Sequence, residues 1–222
     1  MAVAFGAAGS GNSGSGGSLT PGYPAGMVSG DLMLLHVIIA STAETATTPA
    51  GFDKLSGPDD FSGARCYLFA KIATGSEAGT LTVSFSAANF KFARIYSFTG
   101  NETSTTAAAT EDLTVSTGAD NSVEMPTVDT TQNGSMAVGM TSSDSTSATG
   151  NATGETGGDW TKAVAEYQTG IGQLQIQTAA MASGGTISGG SYSSGTGTIW
   201  LMYGIGVKPA GAGAGNIAWV TA

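Results

Sequence analysis

The alternation of apolar and polar residues in short runs is the feature that most constrains this 222-residue chain. No stretch keeps apolar residues at helical spacing beyond two turns, whereas period-2 alternation recurs and is typical of strands. Gly, Ser and Thr between the runs indicate turns. The pattern predicts an all-β fold, a jelly-roll-like β-sandwich of about eight strands. The residues expected in its core are Leu34, Phe69, Phe85, Tyr96, Val138, Ile176 and Leu201.

Composition separates this chain from a disordered one. Its 35 Gly residues and 10% charged residues would suit a linker, but apolar residues make up 41% and are clustered. Disordered chains combine low hydrophobicity with high charge. We therefore expect a folded body over residues 20–209. A Gly-rich N-terminal arm over 1–19 and a Gly-rich C-terminal arm over 210–222 would flank it.

The two halves of the predicted body resemble each other. A near-constant offset between matching landmarks is the mark of a duplicated unit, although strands of this composition also look alike by chance. Two four-stranded units would close one sandwich of about eight strands, the number in a jelly roll. The matching landmarks are Pro24 with Pro126, Gly30 with Gly134, Phe52 with Trp160, and Ile95 with Leu201, at offsets between 102 and 108 residues.

The charge balance argues against nucleic-acid and membrane partners. The net charge is −9, and the chain has only seven Lys and Arg residues. A nucleic-acid binder needs cations to displace the counterions of the phosphate backbone, and an anionic membrane makes a similar demand. The N-terminus shows no signal-peptide pattern, and no apolar run is long enough to span a bilayer.

Residues capable of chemistry are few and are not grouped. The single His36 and the single Cys66 lie in apolar runs, so we expect Cys66 to be buried and His36 to be a core or interface residue. One of each cannot form a zinc site. The acidic pairs Asp59-Asp60 and Glu111-Asp112 lie in predicted loops, where carboxylates are usually solvated. A calcium site or a glycosidase pair is the less favoured alternative. We expect no catalytic residue, no metal and no cofactor.

Both predicted arms carry apolar tips. Val3 and Phe5 precede the Gly-rich segment of the N-terminal arm, and Ile217 and Trp219 lie near the end of the C-terminal arm. A glycine-rich arm stays ordered only if contacts at its tip offset the lost conformational entropy. We therefore predict that these four residues are subunit contacts, with Phe5 and Trp219 as the anchors.

A series of short motifs carries a family resemblance. Pro24-Ala25-Gly26 is followed by Gly30-Asp31-Leu32-Met33-Leu34, Pro49-Ala50-Gly51-Phe52 and Phe69-Ala70-Lys71-Ile72-Ala73-Thr74-Gly75-Ser76-Glu77, and Gly158-Asp159-Trp160-Thr161 is a similar element in the second half. Over about residues 20–209, their order and spacing resemble a family of tailed-phage virion proteins from head-decoration, tail and fibre genes. That family usually has Trp where this chain has Phe52. The resemblance implies a jelly-roll-like sandwich without catalytic residues.

The sequence thus predicts a non-enzymatic virion protein, most specifically a capsid decoration or cement protein. Its partners would be other virion subunits and further copies of itself. The alternative is a tail-fibre or receptor-binding module, in which Trp160 and Tyr192, beside Gly-rich loops, stack on a host glycan. A glycan-cleaving enzyme is the least favoured, because the acidic pairs lack a recognisable setting.

Overall fold

The computed structural model describes residues 1–144, 152–168, 172–193 and 199–211. Strands dominate these residues, and their one helix is the four-residue α1 (Thr106–Ala109), so the predicted all-β fold is confirmed. The first half of the chain forms β1 (Ala4–Ala8), β2 (Asn12–Gly14), β3 (Ser18–Leu19), β4 (Leu32–Ile39), β5 (Asp53–Phe61), β6 (Ala64–Ile72), β7 (Val83–Ser84) and β8 (Lys91–Thr99). The second half forms β9 (Thr110–Ala119), β10 (Ser122–Glu124), β11 (Val128–Thr130), β12 (Ser135–Ser143), β13 (Thr153–Thr156), β14 (Thr161–Gln168), β15 (Gly172–Met181), β16 (Gly185–Ser193) and β17 (Ile199–Val207).

Two large antiparallel sheets form the body, and each is built from one half of the chain. The first sheet has the order β1-β8-β4-β6-β5, with β2 also paired to β8. The second sheet has the order β9-β17-β12-β15-β14. These two orders contain ten strands, which exceeds the predicted total of about eight.

The two large sheets share one internal topology. When the strands of each order are numbered along the chain, both orders read first, fifth, second, fourth, third. A register shift follows Lys54 in β5, and another follows Lys162 in β14, at matching points of the two halves. The duplication predicted from the landmarks is therefore present in the fold, with five strands in each half instead of four.

Three hydrophobic clusters stack through the molecule. The central cluster lies between the two large sheets and contains side chains from both. The outer face of the first sheet is covered by β3, β7 and their flanking loops, and that of the second by β10, β11, β13 and β16. β4 is consequently buried on both faces, which explains its continuous apolar run. Of the predicted core residues, Leu34, Phe69, Tyr96, Val138, Ile176 and Leu201 are fully buried and Phe85 is half-buried.

Residues 1–19 do not form the separate arm that their composition predicts. β1 and β2 both pair with β8 at the edge of the first sheet. Val3 is only 4% exposed, and its N–H donates to Gly134 O at 2.8 Å, which ties this segment to the second half. Phe5 is half-buried and packs edge-to-face on Phe98, with ring centroids 5.7 Å apart. The predicted boundary at residue 19 is therefore corrected, since the sandwich includes residues 1–19.

Glycine permits close backbone packing in this segment. A Cβ atom on Gly9 would lie 2.0 Å from Gly22 O. Gly9 O accepts a hydrogen bond from Arg94 Nε at 2.9 Å, and Gly16 O accepts one from Lys91 Nζ at 2.9 Å. These contacts, together with the pairing of β1 and β2, offset the entropy cost of ordering a glycine-rich chain. A high glycine content therefore does not indicate a flexible linker at this position.

We predict that Gly9→Ala destabilises the protein, because its added methyl group clashes with the Gly22 carbonyl oxygen. Overpacking of this kind costs about 1–3 kcal/mol of unfolding free energy. Gly17→Ala is the matched control, since a Cβ there has no neighbour within 4 Å, and we expect a change within about 0.5 kcal/mol. Urea denaturation of both variants measures the difference. Equal stability of the two variants would contradict the close packing of residues 1–19.

Candidate functional site

The only His and the only Cys of the chain meet at the centre of the sandwich. His36 Nε2 lies 2.9 Å from Ser142 Oγ, and the Cys66 thiol donates to the same hydroxyl oxygen at 3.1 Å. All three residues are fully buried between the large sheets, on β4, β12 and β6. The prediction that Cys66 is buried is confirmed, and of the two settings predicted for His36, core or interface, the structure shows the core. The sequence predicts no role for Ser142, although that residue continues the inward face of β12 set by Met140.

This arrangement brings a hydroxyl beside an imidazole, but its electrostatics differ from those of a catalytic pair. Burial lowers the pKa of His36 to about 3. Burial also raises the pKa of the Cys66 thiol, although the hydrogen bond with Ser142 opposes that shift. The imidazole and the thiol are therefore neutral at pH 7, and a neutral thiol is a poor nucleophile. The three groups are suited to joining the two sheets through a polar contact in an apolar core.

We predict that His36 makes the protein acid-sensitive. Above pH 6.5 the imidazole is neutral in both the folded and unfolded states, so it adds no pH dependence. As the pH falls from 6.5 towards 3, only the unfolded state binds the proton, and folding loses about 1.4 kcal/mol per pH unit. His36→Gln keeps a polar partner for Ser142 and removes this loss. Urea denaturation of both proteins between pH 7 and pH 4 measures the slope.

Carboxylates that titrate over the same range contribute to both proteins, so the difference between the slopes isolates His36. Glu77 is one of them: burial opposes its ionisation, but hydrogen bonds from Thr74 and Lys71 lower its pKa to about 2. Parallel curves for the wild type and His36→Gln would show that His36 is not buried in its neutral form.

We predict that Cys66 does not react with a thiol reagent in the folded protein. The side chain is fully buried, and its raised pKa suppresses the thiolate that would attack the reagent. Ellman's reagent at pH 8 should find no reactive thiol in native protein and one per chain after denaturation. Rapid labelling of native protein would place Cys66 outside the core.

Two further polar links join the large sheets at equivalent places in the duplication. Arg94 on β8 forms an ion pair with Glu166 on β14. The Tyr203 hydroxyl on β17 donates to Asp59 Oδ2 on β5 at 2.8 Å. Each link joins the fifth strand of one half to the third strand of the other half. If the two halves were exchanged, each link would therefore take the place of the other. The halves therefore pack about an approximate two-fold axis that lies between the sheets.

The acidic pair Asp59-Asp60 belongs to the structure of β5. Asp59 accepts hydrogen bonds from Tyr203 and from Ser56, the latter at 2.7 Å. Asp60 forms a two-point ion pair with Arg65, with contacts of 2.6 and 2.9 Å. The hydrogen bond from Arg65 lowers the pKa of Asp60. The two carboxylates therefore have separate partners and do not converge on one point.

The pair Glu111-Asp112 holds β9 to the covering layer. Glu111 Oε1 accepts from Thr131 N at 3.1 Å, and Asp112 Oδ2 accepts from Asp129 N at 2.5 Å. Within the described residues, no group of three or more His, Cys, Asp or Glu side chains is arranged to hold a metal ion. The acidic pairs thus act as local hydrogen-bond acceptors.

The two aromatic residues proposed for glycan stacking are buried, which corrects that prediction. Trp160 is 1% exposed and Tyr192 is 4% exposed, both in the outer core of the second half. The Tyr192 hydroxyl donates to Thr141 Oγ1 at 2.9 Å. Trp160 precedes the third strand of its half, as Phe52 does in the first half, and both side chains fill an outer core. Neither Trp160 nor Tyr192 offers a ring face to a sugar.

The four predicted subunit contacts fall into two groups. Val3 and Phe5 contact their own sandwich, while Ile217 and Trp219 lie outside the described residues. Exposed apolar side chains that the sequence did not single out lie on β9, where Leu113 is 37% and Val115 is 43% exposed. Their alternation with Thr114 and Ser116 looks like that of a strand with one buried face, so the sequence offers no signal of this exposure.

Two open clefts accompany these features, and neither gathers groups for chemistry. One, of about 620 Å³, lies between the N-terminal residues, the turn before β12 and residues 209–211. Its lining contains no charged side chain. The other, of about 510 Å³, is lined mainly by small and hydroxyl-bearing residues of the turns at 29–30, 72–74 and 103–104. Binding sites usually combine an enclosed apolar pocket with converging polar groups, and these clefts do not.

The described residues contain no helix with the length and apolar character needed to cross a membrane. No family model, no curated protein and no solved structure matches this chain. The fold and the site therefore rest on the geometry itself, which is that of a duplicated all-β sandwich with a buried polar centre and an exposed apolar strip on one edge strand.

Proposed function

We propose that this chain is a structural protein of a tailed-phage virion, most specifically a capsid decoration or cement protein, and that it is not an enzyme. It acts in the virion by binding neighbouring subunits and other copies of itself. One observation carries the proposal: the motifs that resemble the virion family are turn and core elements of this fold.

The first of these motifs build the turn that leads into β4. Gly26 adopts a left-handed backbone conformation, with φ of 75°. Asp31 Oδ2 accepts from Val28 N at 2.9 Å and closes the turn. The N–H of Leu32, the first residue of β4, donates to Asn101 Oδ1 at 3.0 Å. This motif therefore fixes how the chain enters the central strand of the first sheet.

The later motifs have the same architectural character. Phe52, where the family usually has Trp, is buried in the outer core of the first half. Glu77 accepts from the N–H groups of Thr74 and Gly75, each at 3.0 Å, and its carboxylate pairs with Lys71 at 2.9 Å. A pattern of this kind specifies the shape of a rigid body. That character supports a role in which the body itself binds its neighbours.

The alternative, a fibre module that binds a glycan, loses its support. It depended on Trp160 and Tyr192, and both are in the core. In the capsid proposal, Ile217 and Trp219 remain the predicted contacts with a neighbouring subunit. Val3 and Phe5 are instead part of the sandwich itself.

Binding to particles tests this function. Purified virions of the phage that encodes the chain should contain it, and quantitative mass spectrometry should give a copy number close to that of the shell subunit. Shells assembled without the chain should bind the added protein to saturation. A few copies per particle would indicate a tail or fibre location. Absence from the particle would overturn the proposal.

A further inference from the structure

The outer edge of β9 differs from the other outer edges of the large sheets. β5 carries Pro58, charged residues and two register shifts, and β14 carries Lys162, Glu166 and one register shift. The edge on β8 is divided between the short strands β1 and β2. Such features protect strand edges from pairing with other chains. From Thr114 to Ala119, β9 has an unbroken register with β17 and has neither a charged residue nor a proline.

An apolar strip, Leu113 and Val115, lies at the beginning of this stretch. Val115 pairs with Tyr203, whose side chain lies in the central core, so Val115 is on the face that points towards the first sheet. Tyr203 bonds to Asp59 on β5, the last strand of the first sheet, so β9 lies beyond the cover that the first sheet provides. Leu113 and Val115 consequently remain 37% and 43% exposed.

The sequence beyond the described residues has the properties that this edge requires. Residues 212–222 come after Gly211, the last described residue, and none of them has a charged side chain. In an extended strand, Ile217 and Trp219 would share one face. Eleven extended residues span about 36 Å, enough to cover the ten residues of β9, which span about 33 Å. An uncharged strand also avoids the repulsion that two surfaces of a chain with net charge −9 would feel.

We propose that the outer edge of β9 accepts residues 212–222 of a second copy of this chain as an added strand, with Ile217 and Trp219 covering Leu113 and Val115. Backbone hydrogen bonds to the edge provide the pairing, and the apolar strip selects the side chains. The inference deepens the proposed function, on which its biological setting rests, by naming the surface through which copies join. A second copy is favoured because the described chain leaves β17 towards the first sheet. There Ala210 N donates to Gly100 O at 2.7 Å.

Sedimentation equilibrium of the full-length chain tests the proposal. Val115→Glu on the edge and Trp219→Ser on the added strand should each weaken self-association at least about tenfold. The double variant should be little weaker than either single variant, because both changes break one contact. Val28→Glu is the matched control: it makes the same change at a valine that is 60% exposed and lies in the turn before β4, and it should leave association unchanged.

A cross-linking experiment separates association between copies from folding back within one copy. Two full-length proteins are mixed, one with Thr117→Cys on β9 and one with either Gly215→Cys or Thr221→Cys, two positions that share a face with Ile217 and Trp219 in an extended strand. A short bis-maleimide can then join the two cysteines only between chains. Heterodimers should form with Thr117→Cys and not with Val28→Cys in its place. The proposal is overturned if the wild type is monomeric, if Val28→Glu weakens association as much as Val115→Glu, or if Thr117→Cys gives no heterodimer.

These outcomes are distinct from those that test the virion role. If Trp219→Ser binds shells as the wild type does while self-association proves independent of β9, the proposed function stands and this inference fails. If the chain is absent from virions but Val115→Glu and Trp219→Ser both weaken association as expected, the inference stands and the virion role fails.

Discussion

Burial of both faces of two large sheets is the constraint on which the rest of the structure depends. The central strands are apolar on both sides, as the fully buried β4 shows, so neither sheet is stable with a face in water. Each half supplies its own outer cover, but only the other half can cover its inner face. The duplicated halves are therefore complete in topology and incomplete in packing. The hydrogen bonds of Ser142 with His36 and Cys66 lie within the interface that results.

The same constraint gives residues 1–19 their place. β8 would otherwise have an open side, and β1 and β2 pair with it. Small residues are required because Gly9 meets the backbone of Gly22 and because a Cβ on Gly11 would lie 2.5 Å from the Phe92 ring. Composition alone cannot distinguish a glycine that provides flexibility from one that permits contact, since the difference lies in partners distant in sequence.

Much of the fold could be predicted from the sequence, because strand periodicity and apolar runs are local signals. The burial of Leu34, Phe69 and Leu201 follows from them, as does the duplication, in which Phe52 and Trp160 hold matching places. The sequence could not predict which sheet faces would be covered. Trp160 beside a Gly-rich loop was therefore interpreted as a surface residue, although the covering layer of the second half buries it. The exposure of Val115 was missed for the converse reason, since its alternation does not reveal that β9 extends beyond the opposite sheet.

Comparison of the halves shows where the second one departs from the plan of the first. Both first strands have a register shift, after Phe5 in β1 and before Thr114 in β9. Beyond that shift, the first half places Gly9 and Gly11 against its own neighbours, so this edge is closed by the chain itself. The second half has Leu113 within its shift and Val115 beyond it, and both side chains remain exposed. If folding alone constrained both halves, they would not need to differ in this way. The apolar edge of β9 is therefore best explained by a requirement other than folding.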